Sequence, residues 1–176
     1  MSNIILELKE ITKTINSNTI LNCVGFRLQR GEIHAIVGEN GSGKSTLVKI
    51  ISGLYTYDSG SILFEENEVS IKNPSDSIKL GISVVQQDPF LFDHLSVAEN
   101  IFVNNLPVKN HLLKTINKRK MFHKAQELLD SMEFPIRSDI QVGLLNLGQK
   151  RMVELAKAFC QQSKVIILDE PISSLT

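Results

Sequence analysis

The sequence has little of what marks several common classes of protein. It has no tryptophan, only two cysteines and no excess of either charge, since 19 lysines and arginines balance 19 aspartates and glutamates. A net charge of zero gives no overall field that attracts nucleic acid or an acidic membrane, so a bound polyanion must be held by a local site. The longest apolar runs, such as 165–168, are far shorter than the ~20 residues of a membrane-spanning helix.

The cysteines and histidines show no pattern typical of a metal site. Cys23 and Cys160 form no C-x-x-C motif and have no histidine at ligand spacing, so we expect buried or free thiols, without a disulfide framework or zinc. Near the start of the chain, Glu7 stands where a signal peptide has its apolar centre, and we expect a cytosolic protein. We expect structural roles for the scattered histidines, which are His34, His94, His111 and His123.

Short β-type segments alternate with helical patterns along a chain that is 42% hydrophobic. The alternation predicts an α/β fold with a mainly parallel sheet, and the longer patterns between about 88 and 159 predict a helical insertion. The last helix is expected to turn Phe159 toward the core, and the last strand is expected to be fully buried. The predicted strands are 4–8, 19–28, 33–37, 61–65, 82–85 and 165–168, and the predicted helices are 44–52, 74–80, 97–103, 118–132 and 148–159.

A glycine-rich segment between a predicted strand and a predicted helix is the strongest local signal. Its letters, GENGSGKS, fit the pattern G-x-x-x-x-G-K-[ST]. Glycines let the main chain approach a phosphate, and the N–H groups at the start of the helix favour an anion. Lys44 adds a charge for β- and γ-phosphates, and Ser45 is placed to ligate Mg²⁺; the alternative is a glycine turn with a solvated lysine. The candidate nucleotide-binding residues here are Gly38, Glu39, Asn40, Gly41, Ser42, Gly43, Lys44, Ser45 and Thr46.

Two carboxylates follow the last predicted strand. Asp169 and Glu170 come at its C-terminal end, where open α/β sheets bind ligands. Beside a phosphate-binding loop, Asp169 is expected to hold Mg²⁺ and Glu170 to orient the attacking water. The alternative is an ordinary Asp-Glu turn.

Four segments in order resemble the nucleotide-binding subunit of an ABC transporter. They are GENGSGKST, GISVVQQDPFLFDHLSVAENIF, LLNLGQKRMVELAKAF and VIILDEP. Within that superfamily, 72–83 and 168–176 are most similar to importers of monosaccharides of the ribose, galactose and xylose type, although related nucleoside importers share much of this pattern. The resemblance implies a P-loop NTPase fold with an N-terminal antiparallel β subdomain, a nucleotide-binding core over 1–87 and 159–176, and a helical signature subdomain over 88–158.

The resemblance also implies an activity and its partners. It implies ATP hydrolysis with ATP and Mg²⁺ bound, a second nucleotide-binding domain in a head-to-tail dimer or tandem half, membrane permease subunits and no nucleic acid. The expected location is the cytoplasmic face of the cell membrane, as a peripheral subunit. Two rival interpretations stay open: a non-catalytic nucleotide-binding remnant, and a soluble ABC ATPase that serves translation or DNA repair.

The resemblance assigns roles to further residues. Gln87 matches a glutamine that touches Mg²⁺ and the attacking water, although an amide there can also cap a turn. Asn146, Gly148 and Gln149 match the signature segment, which meets the γ-phosphate of ATP on the opposite subunit. The implied catalytic residues are Glu170, Gln87 and Lys44, and the implied metal ligands are Ser45, Gln87 and Asp169.

The sequence departs from the family pattern at several positions. Asn146 replaces the signature serine, and with Gln149 it also fits an ordinary helix N-cap with a capping box. Ile15 stands where an aromatic ring usually stacks on adenine, which leaves apolar contact alone. Ile172 replaces a usual threonine, a change that we expect to be tolerated. No histidine follows His123, and we expect the chain to be a truncated product or a piece of a longer ATPase.

Overall fold

The computed structural model describes residues 3–85, 90–103, 106–110 and 115–169. The chain divides into two compact units, residues 1–82 and 83–176. The predicted subdomain boundaries at 87 and 159 stay a prediction. Among the described residues, no helix combines the length and the apolar character that a membrane crossing requires.

The first unit contains an antiparallel sheet. Its strands are β1 (Ile4–Ile15), β2 (Asn18–Gln29), β3 (Ser59–Phe64) and β4 (Asn67–Val69), in the order β2-β1-β3-β4. Asn16 and Ser17 both take positive φ in the tight turn between β1 and β2. The sheet confirms the antiparallel N-terminal subdomain. The buried apolar side chains between residues 4 and 71 are Ile5, Leu6, Leu8, Ile11, Leu21, Leu47, Ile50, Ile51, Ile62, Phe64 and Ile71.

The first strand is longer than its predicted range because a bulge interrupts its alternation. The prediction ends at Leu8, whereas β1 continues to Ile15. The pairing of β1 with β2 shifts register between Leu8 and Ile11, and Glu10 takes a φ of 52°. Both Leu8 and Ile11 are buried, so the spacing of buried positions changes from two to three residues. A strict two-residue period fails at such a bulge.

The two helices of the first unit agree with their predictions. The α1 helix (Lys44–Ile51) buries Leu47, Ile50 and Ile51, and Gly53 follows it with a φ of 77°. The α2 helix (Pro74–Leu80) begins at a proline, its Asn73 cap accepts a hydrogen bond from the main-chain N–H of Asp76, and Gly81 ends it in the left-handed conformation. Local capping signals therefore fix both helices.

The predicted strand over 33–37 is wrong, because the structure has no strand there. Ile33 is fully exposed and Val37 is 91% exposed. A strand needs a neighbouring strand for its main-chain hydrogen bonds, and none of the described strands pairs with this segment. Apolar β-type residues alone do not supply that neighbour.

The second unit combines helices with two short strand pairs. Strand β5 (Ile82–Val85) pairs with β8 (Val165–Leu168), and β6 (Val108–Asn110) pairs with β7 (Thr115–Ile116) in a hairpin that was not predicted. The helices are α3 (Val97–Ile101), α4 (Lys118–Ser131) and α5 (Leu147–Cys160), with a 3-10 turn at Val142–Leu144. Their common core is Val97, Ala98, Ile101, Phe102, Met121, Ala125, Leu129, Ile136, Val142, Val153 and Ala156.

Two burial predictions in the second unit are wrong. Leu168 is 45% exposed, so β8 is not fully buried, and Phe159 is 53% exposed. The buried face of α5 instead contains Arg151 and Glu154 beside Val153. The pattern of apolar residues does not predict which face of α5 is buried, because that face includes charged side chains, which are rarely buried.

Candidate functional site

The glycine-rich loop turns sharply into the first turn of α1. Gly41 and Gly43 have φ values of 85° and 97°, a region that favours glycine. The main-chain N–H of Ser42 donates to the carbonyl of Glu39, and Leu47 N–H makes the first helical bond to Gly43. The loop residues 38–42 are exposed, so their main chain is accessible to a ligand.

Lys44 folds back over this loop. Its Nζ donates to the carbonyl oxygens of Gly38 at 2.8 Å and Glu39 at 2.9 Å. The cation is thereby held over the curled main chain, close to the beginning of α1. An anion can replace these two neutral carbonyl oxygens as the acceptor for the ammonium group, because hydrogen bonds to a charged acceptor are stronger.

Gly43 packs closely against β2. A Cβ atom at this position would lie 2.7 Å from Leu21 Cδ2 and 3.2 Å from the carbonyl oxygen of Ile20. Real Cβ atoms essentially never approach another atom to 2.7 Å, so the end of the Leu21 side chain would have to shift, and the contact with Ile20 would be tight. The φ of 97° adds strain for any other residue. Gly43 therefore fixes the start of α1 against the sheet.

The N-terminus of α1 has no side-chain cap. The first N–H groups of a helix lack partners within the helix and carry its positive dipole end. Ser45 is exposed and Thr46 is half-buried in this first turn. The end of the helix therefore presents N–H groups and a hydroxyl, which together suit a phosphate and a hard cation.

Ile15 ends β1 in the hairpin whose other strand contacts the loop. Its side chain is half-buried, and its main chain pairs with Asn18 in β2. Ile20, farther along β2, provides the carbonyl next to Gly43. An aliphatic side chain at the end of this hairpin can offer a base apolar contact without aromatic stacking.

The signature residues begin α5, and they form the capping box that was predicted. Asn146 Oδ1 accepts from Gln149 N–H at 2.9 Å, and Gln149 Oε1 accepts from Asn146 N–H at 3.1 Å. The box uses the oxygen of the Asn146 amide and not its nitrogen, so Nδ2 still has two protons to donate. Asn146 is exposed, whereas Gly148 and Gln149 are half-buried. Capping and donation to a phosphate are therefore compatible in one side chain.

Three of the residues predicted to bind Mg²⁺ or to orient the attacking water lie at or just beyond the ends of the described ranges. Asp169 follows β8, is half-buried, and donates its main-chain N–H to the carbonyl of Val85 at 3.0 Å. Gln87 and Glu170 lie outside the described residues, so their predicted roles stay predictions. Within the described ranges, no three His, Cys, Asp or Glu side chains are grouped so that they could hold a metal ion.

Sequence reasoning missed Glu154, which α5 buries. Its carboxylate accepts a hydrogen bond from the main-chain N–H of Phe90 at 2.6 Å. Burial raises the pKa of Glu154, while the bond from Phe90 and the nearby charges of Lys157 and Arg151 oppose that rise. A carboxylate between Val153 and Leu155, among the apolar residues of α5, was the available signal.

Comparisons with known proteins agree with this fold. A family model described as "ABC transporter" matches residues 21–173. The xylose import ATP-binding protein XylG of Thermoanaerobacter pseudethanolicus is 40% identical over the whole of this chain and 35% of its own length. The ribose import ATP-binding protein RbsA of Shouchella clausii is 39% identical over 98% of this chain and 34% of its own length.

Solved structures show the same architecture. MJ1267, an ATP-binding cassette of an ABC transporter in its ADP conformation, has a TM-score of 0.81 at 27% identity, over 99% of this chain and 72% of that one. The cbiO1 protein of Clostridium perfringens, part of the ABC transporter complex cbiONQ, has a TM-score of 0.80 at 28% identity, over 99% and 68%.

The fold is that of an α/β ATP-binding cassette. The chain belongs to the ABC transporter family, whose members bind ATP, generally with Mg²⁺. It spans about a third of the length of the curated relatives that it matches.

Proposed function

We propose that this chain is the ATP-binding and ATP-hydrolysing part of a subunit that energises import of a monosaccharide. The main support for the proposal is the position of Lys44. Its Nζ donates hydrogen bonds to the carbonyl oxygens of Gly38 and Glu39, at the start of α1, which has no side-chain cap. The names of the relatives, which are xylose and ribose import proteins, support the sugar substrate.

The loop binds the phosphate tail through main-chain N–H groups and one cation. Glycines remove the Cβ atoms that would keep the β- and γ-phosphates away from the main chain. Lys44 exchanges its two carbonyl partners for phosphate oxygens, which gives stronger, charge-assisted hydrogen bonds. This part of the site therefore recognises the charge and shape of a triphosphate, while Ile15 gives apolar contact to the base. The proposed binding residues are Gly38, Glu39, Asn40, Gly41, Ser42, Gly43, Lys44, Ser45 and Thr46.

The donors predicted for Mg²⁺ are of the type that this ion prefers. The hydroxyl of Ser45, the amide oxygen of Gln87 and the carboxylate of Asp169 are hard oxygen ligands. The exposed position of Ser45 at the beginning of α1 fits this role. When bound, Mg²⁺ neutralises negative charge on the β- and γ-phosphates.

Hydrolysis then requires a positioned water and stabilised charge. Glu170 accepts a hydrogen bond from the attacking water and orients it toward the γ-phosphorus, and Gln87 helps to hold that water. Lys44 stabilises negative charge on the phosphate oxygens while the bond to the β-phosphate oxygen breaks. The products are ADP and phosphate.

Two nucleotide-binding domains are proposed to act together. Asn146, through its free Nδ2, and the main chain of Gly148 and Gln149 meet the γ-phosphate bound to the opposite domain, in a head-to-tail dimer or tandem half. The paired domains act on membrane permease subunits. The ATP-binding subunit itself lies peripherally at the cytoplasmic face of the membrane.

A remnant that binds nucleotide without hydrolysing it is the second candidate. Two departures from the family pattern favour it: Ile15 replaces an aromatic residue, and Asn146 replaces the signature serine. The two candidates differ in turnover and not in binding.

Measuring ATP·Mg affinity together with steady-state phosphate release tests the proposal. Lys44→Ala should weaken ATP binding at least about tenfold, because it removes charged hydrogen bonds. Glu170→Gln should bind ATP as the wild type does and lose turnover. Unchanged affinity in Lys44→Ala refutes the phosphate site, whereas binding without turnover in the wild type identifies the remnant. Co-purification with integral membrane subunits separates a transporter from a soluble ABC ATPase.

A further inference from the structure

One side of α5 holds the chain segment that leads from Gln87 to α3. We call residues 90–96 the linker segment. Lys150 and Glu154 are four residues apart, one turn along the helix, and each binds this segment. Asn146 lies one further turn toward the start of α5. A single helix therefore carries both a proposed γ-phosphate contact and the attachment of the linker segment.

Glu154 makes the buried part of this attachment. The residue is 8% exposed, and Oε1 accepts the main-chain N–H of Phe90 at 2.6 Å. The second oxygen, Oε2, is buried and has no hydrogen-bond partner within the described part of the chain. Removing a carboxylate from water is costly, and the bond from Phe90 together with the nearby charges of Lys157 and Arg151 offsets only part of that cost. Packing alone would be served better by an apolar residue at this position.

The rest of the linker segment is held by other groups. Asn100 is fully buried. Its Oδ1 accepts a hydrogen bond from the Phe92 N–H at 2.8 Å, and its Nδ2 donates to the Phe92 carbonyl oxygen at 3.0 Å. Lys150 Nζ donates to the carboxylate of Asp93 at 2.8 Å, with the Asp93 side chain 57% exposed. Among these contacts, the bond from Phe90 to Glu154 is the one nearest in sequence to Gln87, three residues away.

We propose that Glu154 is a positioning residue for ATP hydrolysis, which fixes the main chain at Phe90, three residues after Gln87 in sequence, against the helix that Asn146 caps. This role rests on the proposed function. In this role Glu154 acts through the main-chain N–H of Phe90.

The test compares three variants of the whole chain. Glu154→Leu keeps much of the side-chain volume and removes the acceptor, and Glu154→Gln keeps an acceptor oxygen without the charge. Lys150→Met is the matched control, because it disturbs the same segment by removing an exposed ion pair, which contributes little stability. The readouts are hydrogen exchange at the amides of 90–96, the kcat and KM for ATP, and the thermal unfolding midpoint.

We expect Glu154→Leu to speed exchange at Phe90 and to lower kcat, each by about tenfold, while KM stays within about twofold. Glu154→Gln should restore both values to within about threefold of the wild type, and Lys150→Met should behave as the wild type. If Glu154→Leu does not fold, Glu154→Asp, which withdraws the acceptor by one methylene, takes its place.

The outcomes separate this proposal from the proposed function. If Glu154→Leu hydrolyses ATP as fast as the wild type, the positioning role alone is overturned. The same conclusion follows if Glu154→Gln has a kcat as low as that of Glu154→Leu. A wild-type chain that binds ATP without turnover overturns both the hydrolytic function and the positioning role. In that case, faster Phe90 exchange in the leucine variant still shows that Glu154 holds the linker segment.

Discussion

At the residue scale, the site depends on backbone conformations that glycine adopts and on hydrogen bonds made by a few polar side chains. The loop residues from Gly38 to Ser45 follow a fixed spacing, and the structure gives Gly41 and Gly43 the positive φ that this spacing requires. The capping by Asn146 was likewise visible in the letters Asn-x-x-Gln. Glu154 was missed because its partner is a main-chain N–H that is 64 residues away, a contact that only the folded chain creates.

Gly43 should tolerate substitution worse than Gly41. Gly43→Ala incurs backbone strain of about 1–3 kcal/mol and also a clash with Leu21 and Ile20, so the thermal unfolding midpoint should fall clearly. In Gly41→Ala the added Cβ meets nothing within 4 Å, and only the strain remains. Equal losses of stability in the two variants would contradict the close packing of the loop against β2.

At the element scale, helices were easier to predict than strands. The apolar spacing and the capping residues place α1, α2, α4 and α5 to within about two residues of their observed ends. Strands depend on distant partners and on bulges, which is why β1 was predicted too short and why 33–37 was wrongly predicted as a strand. The β6–β7 hairpin was missed because its strands are only three and two residues long.

The cap of α5 should depend on side-chain chemistry and not on size. Asn146→Ala removes the acceptor for Gln149 N–H and should lower the free energy of unfolding by about 1 kcal/mol. Asn146→Ser keeps an acceptor and should stay within a few tenths of the wild type, as measured by urea denaturation. Identical unfolding curves for the alanine and serine variants would refute the capping role.

The α3 capping box should make stability depend on pH. Glu99 accepts from the N–H and the hydroxyl of Ser96, and these bonds lower its pKa in the folded protein. A lowered folded pKa adds stability above the ordinary pKa, and that stability is lost as pH falls through the folded value. Glu99→Gln, which keeps an acceptor, should be less stable than the wild type at pH 7, and the difference should disappear as the pH falls from 7 through the lowered folded pKa. A difference that is constant over this range would contradict the electrostatic contribution.

At the scale of the whole molecule, the order of motifs predicted the family and the fold before any geometry was known. The family match over 21–173 and the likeness to solved ATP-binding cassettes confirm both. The sequence predicts chemistry at the loop because the phosphate site is built from consecutive residues. It predicts less about burial, since exposure at Leu168 and Phe159 depends on what the rest of the fold places beside them.

The most direct measurement is a titration of the ¹⁵N-labelled chain with ATP·Mg, followed by the chemical shifts of its main-chain amides, with AMP as the control. We expect the largest changes on residues 38–46, and we expect AMP, which lacks the β- and γ-phosphates, to leave these residues nearly unchanged. Changes centred elsewhere in the chain, or equal changes with AMP, would contradict the claim that this loop wraps its amides around a triphosphate.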